Sequence, residues 1–415
     1  MKETGLPLTT LERDGLLSHF AVHVSPIYYL MLPIYWLIPT PSTLQVLQAA
    51  VTASAVIPLW KLAKLYGFES KQRTLLCALL MLLPAYEGGC YFDLHENCFL
   101  TPLILWFVYG IDRRNRVITA IAAFLTLMVK EDAAVYAAVI SLWLLVNRWK
   151  TGGILLGVSL CWFLASTGYL ASSGDGVMSY RYENFLYNGS SSLLHVVIAV
   201  LTHPMKAVYE CVDPEKLYYV AMTLIPLLGL PLLTRRYDRY LLLIPYILIN
   251  LMSDYEYQHS IWFQYSFGSS AFLIYLTLRN LAELRIRTKP LIVCVLIAAV
   301  CFGSEILPVA TQYPKQAVLQ WESHQSIREA LDEIPDDASV TASTFYTTYL
   351  SQRDVIYDLG YASRSQILDS EYVVIDPGHD ADWETLTAIL ERNGYIRSES
   401  EDIPILIYRK SLANN

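Results

Sequence analysis

Two short acidic motifs stand between apolar runs of this 415-residue chain. Residues 92–96 read Phe-Asp-Leu-His-Glu, and residues 130–132 read Lys-Glu-Asp. A charged side chain near the centre of a bilayer costs about 2.5–3.5 kcal/mol on insertion scales, so such residues usually line a polar cavity. The two motifs are therefore the first candidates for a functional site.

The residue types in the two motifs suit acid–base and phosphate chemistry. The candidate catalytic residues are Asp93, His95, Glu96, Glu131 and Asp132. One carboxylate can act as a general base, and carboxylate oxygens, with Asp93 and Glu96 as candidates, suit Mg²⁺ or Mn²⁺. Lys130 can pair with a phosphate. The alternative interpretation of residues 130–132 is a local ion pair and the N-cap of the next helix.

Five further residues are candidates for substrate binding. His19 and His23 are four residues apart and share one face if the segment is helical, which suits a metal or a phosphate, although interfacial packing also explains them. Arg181 and Tyr182 in one long connection, and His259 in another, are candidates for binding phosphate or sugar. The alternative, which the sequence favours for these three, is that they are ordinary solvated loop residues.

The composition indicates an integral membrane protein. Hydrophobic residues make up 54% of the chain and charged residues 16%, and the mean hydropathy is +0.36, which is far more apolar than a soluble domain. The formal net charge of −8 gives no reason to expect nucleic acid as a partner. The seven cysteines stand singly, without zinc-site or redox spacing.

About ten apolar stretches approach the ~20 residues needed to cross the hydrocarbon. They predict membrane spans at 44–65, 74–91, 97–111, 117–129, 133–147, 152–171, 217–233, 240–253, 261–278 and 291–309. Lys and Arg occupy every second connection, and carboxylates occupy the others. Because cytoplasmic loops are rich in Lys and Arg, both acidic motifs are predicted to face outward at the plasma membrane.

Four apolar segments are short for a span. The runs 97–111, 117–129 and 133–147 are predicted to end below the outer surface, at a water-filled pocket floored by the two motifs; re-entrant pairs are the alternative. Residues 26–38 are apolar and aromatic, and they are predicted to lie along the outer interface with their tyrosines at headgroup level.

The last hundred residues predict a small α/β domain. Strands are expected at 339–344, 372–375 and 403–408, with a helix over 382–393 that Gly394 ends. The predicted fold is thus an α-helical polytopic membrane protein with a C-terminal extracytoplasmic α/β domain. Its predicted parts are an outer juxtamembrane segment (1–43), a transmembrane helical domain (44–310) and the α/β domain (311–415).

The sequence resembles an uncharacterised prokaryotic family of polytopic membrane proteins, known only as a domain of unknown function. The resemblance covers most of the chain and rests on many segments together, rather than on any one of them. These segments are 19–27, 44–60, 92–96, 130–132, 257–266, 334–340, 351–353, 372–376 and 393–395.

At a coarser level this family is similar to the GT-C superfamily, the integral-membrane glycosyltransferases that use polyprenyl-phosphate sugars. Residues 23–30 (His-Val-Ser-Pro-Ile-Tyr-Tyr-Leu) are similar to the H-x-P-L-Y-Y-type segment of the superfamily's first outer loop. The superfamily pattern also has an initial spanning helix, followed by an acidic residue early in that loop. In this sequence Met1 falls inside the corresponding loop, and Glu12 and Asp14 are the nearest acids.

The resemblance implies a glycosyltransferase that moves a sugar from a polyprenyl-phosphate donor to a cell-surface acceptor on the outer face. Such transfer needs a general base, cationic or metal groups at the departing phosphate, and an apolar groove for the lipid. The alternative is a non-catalytic membrane protein, a transporter or a flippase. A transporter is expected to carry ionisable residues at mid-membrane and an internal repeat, and the sequence shows no such repeat.

Overall fold

The computed structural model describes residues 1, 4–12, 15–187, 192–284, 287–398 and 403–411. Contacts divide the chain into two units, one of Met1–Val22 with Ala310–Asn415 and the other of His23–Val309. The first 22 residues therefore belong with the C-terminal residues, whereas the sequence had grouped them with residues 23–43. Asp14, one of the acids near the chain start, lies outside the described residues.

The unit 23–309 is built from helices. Its α-helices are α1 (Leu32–Leu37), α2 (Pro41–Ala53), α3 (Val56–Leu65), α4 (Ser70–Met81), α5 (Pro84–Glu87), α6 (Leu100–Asp112), α7 (Arg116–Leu127), α8 (Ala133–Val146), α9 (Thr151–Ser173), α10 (Leu193–Thr202), α11 (Pro204–Glu210), α12 (Pro214–Leu224), α13 (Ser266–Ala282) and α14 (Thr288–Leu319), the last of which continues past residue 309. Short 3₁₀ helices stand at Pro26–Leu30, Gly88–Tyr91, Glu96–Phe99, Ser179–Phe185, Leu230–Leu232, Tyr237–Leu243 and Glu256–His259, and a π-helix at Tyr246–Leu251.

Local sequence signals explain where several helices begin. Asn115 accepts a hydrogen bond from the Ile118 amide at the start of α7, and Asp213 accepts one from the Lys216 amide at the start of α12. These side chains satisfy amides that have no partner inside the helix. Helices α2, α5, α11 and α12 begin with proline, whose missing amide proton costs nothing at that position.

Three helices of the described chain are long and apolar enough to cross a membrane: Pro41–Leu65, which joins α2 and α3, together with α9 and α14. Helix α4 and the segment Pro84–Tyr91 are a fourth candidate, bent by 58°. These four match predicted spans, and the structure does not show the other six. Predicted span 240–253, for example, is a 3₁₀ helix followed by a π-helix.

Helix α13 is apolar because it lies in the interior of the helical unit. Fifteen of its 17 residues are buried inside the protein, so its apolar side chains contact other helices rather than lipid. At Gly268 the packing against α8 is so close that an added Cβ would lie 2.3 Å from the ring of Tyr136. This contact sets the position of α8, which begins directly after the second acidic motif.

The other unit contains a small C-terminal sheet, as predicted. Its elements are β1 (Leu8–Thr9), β2 (Leu17–Ser18), α15 (Trp321–Asp332), β3 (Val340–Ala342), α16 (Thr344–Thr347), β4 (Ile356–Asp358), α17 (Arg364–Asp369), β5 (Tyr372–Ile375), α18 (Trp383–Arg392), β6 (Tyr395–Arg397) and β7 (Leu406–Lys410). The five-stranded sheet has the order β4-β3-β5-β7-β6; β3, β4 and β5 are parallel, and β7 runs antiparallel to β5 and β6.

Helices cover both faces of this sheet. Leu331 of α15 packs with Val340 and Val374 on one face, and Leu390 of α18 packs with Val373 and Ile375 on the other. Strands β3, β5, β7 and helix α18 lie at or near the predicted positions. Strands β4 and β6 were not predicted, because each contains only two apolar residues within mixed polar sequence.

Candidate functional site

The first motif is held in place by a buried glutamine of α2. The Gln48 side chain accepts a hydrogen bond from the His95 amide (2.9 Å) and donates one to the Phe92 carbonyl (3.1 Å). The His95 side chain accepts from the Asn97 amide at the start of the 3₁₀ helix that leads into α6. The motif is therefore an ordered turn between the bent helix pair and α6.

The segment 23–28 connects the two motifs. Oε2 of Glu131 accepts a hydrogen bond from the Val24 amide at 3.0 Å, and Oε1 lies 3.1 Å from Nδ1 of His23. Four residues further on, the Tyr28 hydroxyl donates a 2.6 Å hydrogen bond to Oε2 of Glu96. One short segment thus contacts a carboxylate of each motif.

A buried ion pair joins the motifs directly. Nζ of Lys130 lies 3.3 Å from Oε1 of Glu96, and both side chains are 1% exposed. Nδ1 of His95 lies 3.2 Å from the other Glu96 oxygen. The predicted convergence of residues 92–96 and 130–132 is therefore present for Glu96, His95 and Lys130.

The charges of this cluster shift one another's pKa values. Burial favours the neutral form of Glu96, but His95 and Lys130 outweigh it and hold the pKa of Glu96 below its usual range. Burial likewise opposes the charge on Lys130, and Glu96 together with Asp132 raises its pKa above the usual value. Burial lowers the pKa of His95 to about 3, so this imidazole is neutral near pH 7.

Asp132 is the carboxylate whose side chain remains least engaged. It stands at the N-terminus of α8, yet its side chain makes no capping hydrogen bond, and its buried Oδ1 has no hydrogen-bond partner in the described part of the chain. Burial, followed by the charge of Glu131, raises its pKa, and Lys130 and Arg181 oppose that rise. The interpretation of residues 130–132 as a helix cap with a local ion pair does not fit, because Lys130 pairs with Glu96.

Arg181 is the second cation of the site. Its guanidinium lies over the rings of Tyr255 (5.0 Å) and Tyr265 (5.2 Å), and Nη2 lies 3.0 Å from the Met178 sulfur. Its buried Nε finds no hydrogen-bond acceptor among the described residues. Stacking on two tyrosines holds the charge in place without neutralising it.

Among the other predicted site residues, Tyr182 lies near the cluster: burial and the charge of Asp132 raise the pKa of its hydroxyl, and Arg181 opposes that rise. Asp93 is exposed, and no ion pair or hydrogen bond connects its side chain to the cluster within the described residues. The hydroxyl of Tyr182 donates to the Leu248 carbonyl at 3.2 Å. His259 is buried, 3.6 Å from Glu215. The interpretation of Arg181, Tyr182 and His259 as solvated loop residues does not fit their partial or complete burial.

His19 and His23 do not form the pair that a helix would produce. The helix at this point is a single 3₁₀ turn, His19–Ala21, which ends before His23. Nδ1 of His19 lies 2.6 Å from Oε1 of Glu12, within the unit that contains the C-terminal sheet, whereas His23 belongs to the other unit and contacts Glu131. Their four-residue spacing therefore does not place them on one face of a helix.

The arrangement of the motif carboxylates does not suit Mg²⁺ or Mn²⁺, for which Asp93 and Glu96 were candidates. Across the described residues no group of three or more His, Cys, Asp or Glu side chains is arranged to hold a metal ion. Glu96 is already neutralised by Lys130, and Asp93 is exposed elsewhere. Hard cations need several free oxygen ligands, which this cluster does not supply.

Sequence reasoning missed three polar residues that organise the site. Gln48 and Tyr28 hold the motifs, and Tyr265 lies under Arg181 with its ring 6.4 Å from His95. Tyr28 carried a signal, because it belongs to the segment that resembles the GT-C outer loop, but it was assigned to the headgroup region. Nothing in the sequence distinguishes Gln48 from other helix residues.

Helical candidate spans, a polar cluster between helices and a small C-terminal sheet define the class as a membrane protein. The chain belongs to the family described as "Predicted membrane protein (DUF2079)", whose model matches residues 6–397. The prediction of an uncharacterised membrane protein family is thereby confirmed. No curated protein and no solved structure matches the chain, so the similarity to GT-C enzymes stays a prediction.

Proposed function

We propose that the protein is a GT-C-like membrane glycosyltransferase that moves a sugar from a polyprenyl-phosphate donor to a cell-surface acceptor. The observation that carries this proposal is the buried pair of Lys130 and Glu96, which joins the two motifs. Asp132 and Arg181 take no part in this pair, and both are partly exposed. Within the described residues they form no ion pair with each other, so a carboxylate and a cation stay available for a substrate.

In this proposal Asp132 is the general base. It takes the proton of an acceptor hydroxyl, and the oxygen forms a bond to the anomeric carbon of the donor sugar. The bond from that carbon to the phosphate oxygen breaks, and its electrons leave with the polyprenyl phosphate. A carboxylate whose pKa is raised towards neutrality is a more effective base at neutral pH. Arg181 stabilises the negative charge of the departing phosphate.

Glu96, Glu131 and their partners act as positioning residues. Glu96 is contacted by Tyr28, His95 and Lys130. Glu131 is contacted by His23 and by the Val24 amide. Such contacts keep the motifs in one geometry, which is what an effective general base requires of its surroundings. Because the Lys130 side chain is only 1% exposed, it adds positive potential to the site without contacting the phosphate directly.

We also propose that ten segments cross the plasma membrane, with both motifs and the C-terminal unit outside the cytoplasm. The support is the alternation of Lys- and Arg-rich connections along the chain. Helices such as α8 are too short to cross a full bilayer, and they would end at an outer depression that contains the site.

The deciding experiment compares Asp132→Asn with wild type in purified, reconstituted protein supplied with labelled polyprenyl-phosphate sugars. We expect transfer to fall about 100-fold or more, as for loss of a general base. Glu183→Gln is the matched control, because Glu183 is an exposed carboxylate two residues from Arg181. Wild-type transfer rates in Asp132→Asn would refute the assigned role.

One observation favours a transporter or flippase as the second candidate. Glu87 lies in the second half of the bent pair α4 and Pro84–Tyr91, and its buried Oε1 has no hydrogen-bond partner among the residues described. Broken helices and ionisable residues inside spans are typical of transporters. A vesicle assay of lipid flipping separates the two, since flipping that Glu87→Gln abolishes would support transport.

A further inference from the structure

A surface groove of about 500 Å³ lies between the start of α12 and the segment 256–263. It belongs wholly to the unit 23–309, and all of its lining residues are described. Glu215, Tyr218, Tyr257, His259 and Trp262 line it. Neither Asp132 nor Arg181 lines the groove, so its chemistry is considered separately from the bond-forming step proposed above.

The wall of the groove is aromatic. Tyr257 stacks on Phe263 with ring centroids 4.2 Å apart and an interplanar angle of 25°, and Phe263 lies 5.0 Å from Phe92 of the first motif. Tyr91 meets Trp262 edge to face at 6.2 Å. Rings that are braced in this way present fixed, flat apolar surfaces to the groove.

Aromatic contacts continue from this wall to the candidate site. Tyr257 lies 4.9 Å from Tyr255, which lies 6.2 Å from Tyr265, whose ring is 6.4 Å from that of His95. Arg181 covers Tyr255 and Tyr265. The groove and the Asp132–Arg181 site therefore share one continuous set of side chains.

The polar groups of the groove disfavour an anionic ligand. Glu215 is 75% exposed, and Glu256 adds a second carboxylate. Lys216, which follows Glu215 in the sequence, pairs with Asp213 at 3.3 Å and donates a hydrogen bond to the Glu210 carbonyl at 2.6 Å. A phosphate headgroup would meet two like charges in this groove, whereas hydroxyl groups would find acceptors.

His259, like the two carboxylates, indicates a polar ligand. Its ring lines the groove and is buried, and its Nδ1 has no hydrogen-bond partner within the described residues. A buried polar atom without a partner costs free energy, typically about 1–3 kcal/mol. The imidazole borders the groove, with Nε2 3.6 Å from the exposed Glu215, so a hydroxyl bound there would lie beside this polar pair.

We propose that this groove binds carbohydrate, a neutral glycan whose C–H faces pack on Tyr257 and Trp262 and whose hydroxyls bond to Glu215 and His259. Sugars combine apolar faces with rings of hydroxyls, so an aromatic wall with a carboxylate rim fits both of their surfaces. Its role as the site of the acceptor glycan rests on the transferase function proposed above; the binding itself does not.

The test uses full-length protein in lipid nanodiscs on a printed array of neutral glycans with hexose, N-acetylhexosamine, deoxyhexose and pentose ends. We expect one class of glycan to be retained and to change the intrinsic tryptophan fluorescence of the protein. Tyr257→Ala should raise the dissociation constant of that glycan about tenfold, which is a loss of about 1.4 kcal/mol in binding free energy. Glu215→Gln should weaken it as well.

Tyr237→Ala is the matched control, because Tyr237 is an exposed tyrosine that also contacts a second ring, that of Tyr240. Unchanged binding in this variant, with the loss confined to Tyr257→Ala, supports the proposal. Retention of no glycan, or equal loss in both tyrosine variants, overturns it. Farnesyl phosphate binding that depends on Tyr257, without glycan binding, also overturns it in favour of a lipid site.

The two proposals fail separately. Asp132→Asn should abolish transfer and leave glycan binding intact. If the wild type binds glycan but transfers no sugar, the transferase proposal is refuted and the carbohydrate-binding proposal stands. If it transfers sugar but binds no glycan, the carbohydrate-binding proposal is refuted and the transferase proposal stands.

Discussion

Lys130 and Glu96 form the residue-level contact on which the site depends. Removing one partner of a buried ion pair leaves an uncompensated charge, which costs about 3–5 kcal/mol. Lys130→Met is therefore expected to lower the thermal unfolding temperature strongly in detergent, and Lys130→Met with Glu96→Gln to recover much of the loss. Lys64→Met, at an exposed lysine, is the control. A single variant as stable as this control would show that the pair is not buried.

His95 predicts how stability depends on pH. Its pKa falls from 6.5 to about 3 on folding, so between these values the unfolded chain binds more protons than the folded one. Stability should therefore drop as the pH falls below 6.5, by about 1.4 kcal/mol per pH unit from this group. Glu96 and Glu131, whose pKa values are lowered, add a loss below about pH 4.3.

The measurement is unfolding by denaturant at pH 7, 6, 5 and 4. His95→Gln should flatten the decline between pH 6.5 and 4.5, and His324→Gln, at an exposed histidine of α15, should not. Parallel profiles for wild type and His95→Gln would contradict burial of a neutral imidazole.

At the scale of elements, the contact of α8 with α13 determines where the second motif lies. An added methyl group at Gly268 would lie 2.3 Å from the Tyr136 ring, which is fully buried and has no room to move. Gly268→Ala is expected to destabilise the protein by about 1–3 kcal/mol, as overpacking does, and to displace Asp132. Thermal unfolding and transfer assays measure the two effects.

Gly157→Ala is the control for this prediction, because Gly157 lies within α9 and has no atom within 4 Å of an added Cβ. Alanine there should be neutral or slightly stabilising. Equal effects of the two substitutions would mean that the helices do not pack closely at Gly268.

At the scale of the whole molecule, the proposed topology is tested by reporter fusions. Alkaline phosphatase, which is active only outside the cytoplasm, should be active when fused after residue 175 or at the C-terminus, and inactive after residue 115 or 238. Green fluorescent protein should give the reverse pattern. An inactive phosphatase at the C-terminus would place the C-terminal sheet in the cytoplasm and contradict the assignment made from Lys and Arg.

Short-range patterns determined the class of the protein and the broad position of its parts. Apolar runs mark the candidate spans at Pro41–Leu65, α9 and α14, and a short apolar run marks β5. The expectation that the two acidic motifs meet also came from sequence, through the assignment of both to the same side. These properties follow from composition and periodicity, which need no knowledge of distant contacts.

Only the tertiary structure decided which charges pair and which stay available. Lys130 forms an ion pair with Glu96, 34 positions away, rather than with its neighbours, and His23 contacts Glu131. The tertiary structure likewise decided the surroundings of α13, whose apolar residues face protein instead of lipid. In each case the partner is set by the packing of segments far apart in the chain, and the energy of a buried charge depends on that partner more than on the residue itself.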